Sequence, residues 1–148
     1  MTIELYKNSL ISFDDAQIYF DERFDSNSWL SLDTSQQELL LISASKKISS
    51  LDFVGEKLNI NQPLAFPRNY EIPQDIKNAV CEEALAIFLN INNIHSKNKE
   101  NNISSINLGV GAITYNTNNN CDETEPLFSS TARQLVKKWL RKGFCALN

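Results

Sequence analysis

Between Ile76 and Ile91 apolar side chains recur at helical spacing: Ile76, Ala79, Val80, Ile87 and Ile91 form one stripe, and Leu85 and Phe88 widen it. A stripe that wide needs neighbours on several sides, which places this helix at the centre of a bundle. Pro73 suits the first residue of the helix, where the N–H it lacks has no partner to lose. The longest unbroken apolar run, Ala84–Leu89, is far short of the roughly 20 residues a bilayer requires, and MTIELYKNSL has no secretory-signal pattern. A soluble, unexported protein is expected, with 148 residues enough for one core.

The remaining helices announce themselves by their caps. Ser12 with Asp15 three residues on predicts a helix over about 13–24, with Ala16, Tyr19, Phe20, Arg23 and Phe24 on one face. Thr34 and Gln37 read as a T-x-x-Q capping box, opening a helix to about Ser50 whose inward side is Leu40, Ala44, Ile48 and Leu51. A last helix starts at Ser129 or Ser130, turns Ala132, Leu135, Val136, Trp139 and Leu140 to one face, and stops at Gly143. Over 52–72 the periodicity fails and Gly55, Pro63 and Pro67 break the chain. Phe53, Leu64 and Phe66 are expected to pack this long connection onto the helices.

The polar stretch 92–102 reads as an exposed loop. After it, Ile106, Leu108 and Val110 alternate with Asn107 and Gly109, and Ile113 and Tyr115 resume beyond Gly111, the pattern of a strand pair or extended arm. The polar 116–126 segment is a second connection. The expected fold is mainly α: a bundle of about four helices with a short β-hairpin or extended arm near 104–116. The chain is read as a single domain over 1–148, with a helical core at about 12–92, the arm at about 103–116 and a C-terminal helix at about 130–142 carrying a basic tail.

Residues that do chemistry are scarce. Cys81, Cys121 and Cys145 are widely spaced and odd in number, which argues against a disulfide framework and a zinc site. His95, the sole histidine, lies in a polar stretch as a surface residue. Glu82 and Glu83 are adjacent on a helix and point apart, so they are no acid–base pair. There is no phosphate-binding glycine loop, zinc-protease motif or nucleophile elbow, so no enzyme, cofactor or metal is expected.

The net charge of −4 argues against a general nucleic-acid coat. Residues 1–38 hold eight acids against Lys7 and Arg23, whereas 133–148 hold five bases and no acid. Opposite ends of opposite sign can steer like subunits together head to tail, and an ordinary solvated surface produces them too. Lys137, Lys138, Arg141 and Lys142 complement a helix C-terminus, or contact a partner's acidic surface or passing DNA. Trp29 and Trp139 read as core or interface residues.

An ordered set of short segments then carries a resemblance: DDAQIYFDERF at 14–24, Trp29, LLLISASKKI at 39–48, LDFVGEK at 51–57, QPLAFPR at 62–68 and IPQDIKNAVCEEAL at 72–85, supported by LGVGAITY at 108–115. Together they resemble a family of tailed-phage head-to-tail connector proteins, some of which are labelled DnaT-like single-stranded-DNA-binding proteins. The resemblance implies a small helical adaptor, without enzymatic activity, that joins the portal to the tail as a ring of about twelve copies. Its implied partners are the portal protein, further copies of itself and a downstream tail or neck protein. DNA would at most pass through the channel, and no membrane is involved. The implied location is the virion neck, after assembly in the host cytoplasm. The alternative is a replication accessory that binds single-stranded DNA.

Three groups of residues are candidates for the work of such a protein. Phe53, Gly55, Gln62, Leu64, Phe66, Pro67 and Arg68 form a loop that is either structural or an interface. Arg68 there is suited to bonding backbone carbonyls, a carboxylate such as Asp52, or a partner. Leu108, Gly109, Val110, Gly111 and Tyr115 form an arm suited to a subunit or tail contact. Lys137, Lys138, Trp139, Arg141 and Lys142 are candidates for docking to portal.

Overall fold

The computed structural model describes residues 2–107 and 127–142, and over 92–107 the backbone alone. It is a small, mainly helical domain without a sheet among the described residues. Its elements are α1 (Phe13–Asp21), α2 (Asn27–Leu30), α3 (Thr34–Ser49), α4 (Gln74–Asn107) and α5 (Ser130–Lys137). The apolar part of α4 is central, as its stripe requires: α1, α3 and α5 all pack against it. Ile76, Ala79, Val80, Cys81, Ala84 and Leu85 are buried there, together with Phe20, Trp29, Leu41, Ile48, Phe53, Phe66, Leu127 and Val136.

Each helix start has a local cause. Ser12 caps α1 by accepting a hydrogen bond from Asp15 N at 3.2 Å. The capping box of α3 is Asp33 with Gln36, one residue earlier than the Thr34–Gln37 pair expected from sequence. Gln37 is needed elsewhere: its buried amide donates to Trp29 O at 2.9 Å and accepts from Gln17 Nε2 at 2.7 Å. Ser129 caps α5 through Ala132 N at 3.1 Å. Pro73 sits one position before α4, where its carbonyl accepts from Ile76 N and Lys77 N.

Several boundaries and faces differ from expectation. α1 stops at Asp21, short of 24. Arg23 turns back to pair with Asp25 and Glu82, leaving Phe24 fully exposed. The one-turn α2 follows and lays Trp29 on Phe20, ring centroids 4.2 Å apart. The 92–102 stretch, expected as a loop, is helical. It holds no glycine or proline, so nothing stops propagation of a helix already nucleated by its buried half. The strand or arm expected near 104–116 is replaced by helix as far as Asn107, and its remainder lies outside the described residues. At the other end, α5 closes at Lys137 with Lys138 as C-cap, before the expected stop at Gly143, which is itself outside the described residues. On α4, Leu89 and Ile91 are exposed, and Ile87 and Phe88 are only half-buried, because the packing ends near Leu85.

Core truncations should therefore separate by depth. Phe66→Ala removes a fully buried ring and should lower unfolding free energy by roughly 3–5 kcal/mol, while Phe88→Ala should cost about half that or less. Urea melts giving equal losses for the two variants would contradict this placement.

Candidate functional site

The most elaborately built feature is the connection between α3 and α4. Its backbone cannot run as a regular strand through Pro63 and Pro67, so side chains supply the missing order. Arg68 is buried, and its guanidinium forks into four carbonyls: Nε donates to Val54 O at 3.0 Å, Nη1 to Ala65 O at 3.1 Å, and Nη2 to Phe53 O at 3.2 Å and Gly55 O at 2.6 Å. Of the two roles open to Arg68 within the chain, the structure shows carbonyl binding; Asp52 lies instead 3.7 Å from Arg141 Nε. Arg141 reaches in from the far end of the chain, donating to Phe53 O at 3.1 Å and Gly55 O at 2.8 Å. Two guanidinium groups thus converge on the same two carbonyl oxygens, Phe53 O and Gly55 O.

The backbone is paired on both sides of this clamp. Val54 N donates to Trp139 O and Arg141 N to Asp52 O, each at 2.9 Å, while Asn69 N donates to Glu56 O and Leu58 N to Pro67 O. Gly55 sits at φ +81°, and a Cβ there would lie 2.3 Å from Asn69 Oδ1 and 2.9 Å from a Tyr70 ring carbon, so only glycine fits. The Phe66–Pro67 peptide is cis. Phe53, Leu64 and Phe66 are buried beneath the loop. Phe53 meets Phe66 edge-on at 5.0 Å, Phe66 meets Tyr70, and Tyr70 stacks on Trp139 at 5.7 Å.

At the tip, Gln62 Nε2 donates to Leu64 O and Pro67 O, and Gln62 Oε1 accepts from Asn59 N. The turn is closed by its own bonds, leaving Leu58 71% and Ile60 87% exposed. These two apolar side chains are therefore held outward on a turn that its own hydrogen bonds fix.

The basic candidates at the C-terminus are less free than sequence suggested. Lys138 pairs with Asp75, and Trp139 donates to the same carboxylate at 3.4 Å, so both tie α5 to the start of α4. Arg141 belongs to the loop clamp. Lys137 and Lys142 are exposed. The arm residues Leu108, Gly109, Val110, Gly111 and Tyr115 lie outside the described residues, as do Cys121 and Cys145. His95 falls on the helical backbone of α4. Cys81 is a buried free thiol whose pKa burial pushes far above the usual range. Among the described residues no cluster of His, Cys, Asp or Glu is placed to hold a metal ion, and no helix is long and apolar enough to cross a membrane.

Two residues carry more than their sequence context advertised. Glu82 accepts from Tyr19 Oη and pairs with Arg23 Nη1 at 2.5 Å; burial, then the Glu82 carboxylate, pushes the Tyr19 phenol up. Glu83 is fully buried. It takes Lys47 Nζ at 2.6 Å and accepts from Phe128 N and Ser129 N at 2.9 Å each, at the positive end of α5. The available signal was register: Glu83 falls between Val80 and Ile87, on the buried stripe itself.

Comparison with known families gives one finding for this arrangement: residues 2–147 match the family model described as "Putative DnaT-like ssDNA binding protein". The chain belongs to this DnaT-like family. No curated protein and no solved structure matches it. The DnaT-like match takes in the clamped loop, α4 and α5 together, so all of the geometry above lies within the family's span.

The clamp and the α5 tie yield separate expectations. Arg68→Met keeps the stem's bulk but strips Ala65 O of its donor, and should cost roughly 2–4 kcal/mol, with amide exchange rising first over 53–69. Unchanged exchange there would remove the clamp from the account. The Lys138 ammonium, then the Trp139 N–H, holds the Asp75 carboxyl below its usual range. Its stabilising contribution is therefore present above the unfolded-state pKa and lost as pH falls through the folded one. An NMR titration should show this low midpoint, and Lys138→Ala should return it toward the ordinary carboxylate value.

Proposed function

We propose that this chain is a non-enzymatic assembly protein, a head-to-tail adaptor in the neck of a tailed phage that joins portal to tail as a ring. The observation that carries the reading is the clamped loop: Leu58 and Ile60 project from a turn that Gln62 closes by bonding Leu64 O, Pro67 O and Asn59 N within the chain. Such a surface docks protein at little conformational cost. Both described tryptophans are stacked within the chain, Trp29 on Phe20 and Trp139 on Tyr70, and Lys138 and Arg141 are engaged at home, although Phe24 and Phe128 stay exposed. The resemblance to phage connector proteins supplies the place for this docking, with the portal and a tail or neck protein on either side of the ring.

A second reading, single-stranded-DNA binding in replication, is favoured by the family's own description, which names that activity and no virion role. A groove lined by Lys57, Arg68 and Arg141 is where a phosphate backbone would lie. The two readings part in one pair of assays. Under the adaptor reading the chain co-sediments with portal rings encoded by the same genome and binds a labelled oligonucleotide weakly. Tight oligonucleotide binding that collapses with added salt, without retention on portal rings, would replace the adaptor by the DNA-binding protein.

A further inference from the structure

The groove beside the clamped loop is lined by Glu56, Lys57, Ile60, Arg68 and Arg141, with Gly55 at its floor. Three cations gather there because Arg68 and Arg141 are both drawn to Gly55 O, at 2.6 and 2.8 Å. Glu56 on the rim and Asp52 near Arg141 offset part of that charge. Lys57 has no ion pair among the described residues. Ile60 stands at the edge, almost fully exposed.

A second groove has the opposite character. Asp15, Ile18, Tyr19 and Glu22 line it along α1, with Lys77 of α4 opposite, 3.9 Å from Asp15. Asp14 and Asp21 add acid on the same helix, and α1 holds no base. Ile18 is 56% exposed in its middle, and Glu22 has no ion pair among the described residues. The two grooves share no residue. Each offers an exposed isoleucine, and their charges are opposite, the requirements of a contact that repeats from copy to copy.

We propose that the basic groove of one copy, with Ile60 at its edge, receives the acidic α1 face of a second copy around Ile18, head to tail. The contact deepens the assembly reading and rests on it. Lys57 meets the Glu22 side, and the two isoleucines supply the dry centre. Because neither the Lys57 nor the Glu22 side chain has a hydrogen bond or ion pair among the described residues, and their chain contacts are made by backbone, their exchange tests the interface without disturbing the fold.

Sedimentation velocity on the whole chain, over a concentration series at low and high salt, reads the outcome. The weight-average mass should rise with concentration and fall with salt. Lys57→Glu and Glu22→Lys should each weaken self-association by about tenfold or more, and Ile60→Asp should do the same. The two reversals combined in one chain, or an equimolar mixture of the two single variants, should restore it, because both then rebuild opposite charges across every contact. A wild-type chain that stays monomeric into the millimolar range overturns the proposal, as does a double variant that fails to recover. Portal-ring co-sedimentation keeps the two ideas apart: a monomer that still binds portal sinks only this contact, whereas a self-associating chain that ignores portal sinks only the adaptor.

Discussion

A single buried carboxylate organises much of this molecule. Glu83 has no exposed surface, so its charge must be met within the protein. Lys47 of α3 and the two backbone N–H groups entering α5 meet it, which joins α3, α4 and α5 at one point. With α5 seated, Trp139 and Arg141 are delivered beside the 52–55 backbone, and only then can Arg141 join Arg68 on Gly55 O. Residues nearly ninety positions apart thus hold one loop, and the placement of the outermost surface depends on a charge at the centre.

That loop solves a problem of backbone satisfaction. Twenty or so residues without helix or sheet leave many carbonyls in or near the core, where each unpaired oxygen is costly. A guanidinium with five donors in a plane is the side chain best able to collect them, which lysine cannot do. Gln62 repeats the device at the tip on a smaller scale. With these carbonyls paired inward, Leu58 and Ile60 still stand outward, among exposed polar residues such as Glu56, Lys57, Asn59 and Asn61. The exposed leucine and isoleucine on this turn are the observation from which the interface is proposed.

The charge asymmetry along the chain acquires a different meaning in three dimensions. The acids of the first helix stay on its surface and remain available. The bases near the C-terminus do not behave as one patch: Lys138 turns to Asp75, Arg141 to the loop, and Lys137 and Lys142 to solvent. The basic groove is completed by Lys57 and Arg68, which lie more than seventy residues before Arg141 and carried no basic signal of their own in the sequence.

Local rules read from the sequence reached what local physics decides. Helix starts at Ser12 and Ser129, the centrality of the 76–85 stripe and the burial of Phe53, Leu64 and Phe66 are legible in spacing and side-chain type, because caps and amphipathic stripes act over a few residues. The capping box of α3 was misjudged by one position because two polar triplets compete there, and only the packing of α1 and α2 takes Gln37 inward. The run of α4 through 92–107 was missed because the polarity of 92–102 was read as a loop where no breaker stands, and the alternation beyond it as an extended arm. Sequence showed only that Glu82 and Glu83 point apart; that both are buried follows from the partners that α1, α3 and α5 bring to them. Sequence by itself determined the helical class and the core's composition, through contacts between near neighbours in the chain. The tertiary structure alone decided which charges are buried, which carbonyls share an arginine and which apolar residues face outward, since each depends on groups far apart in sequence meeting within a few ångströms.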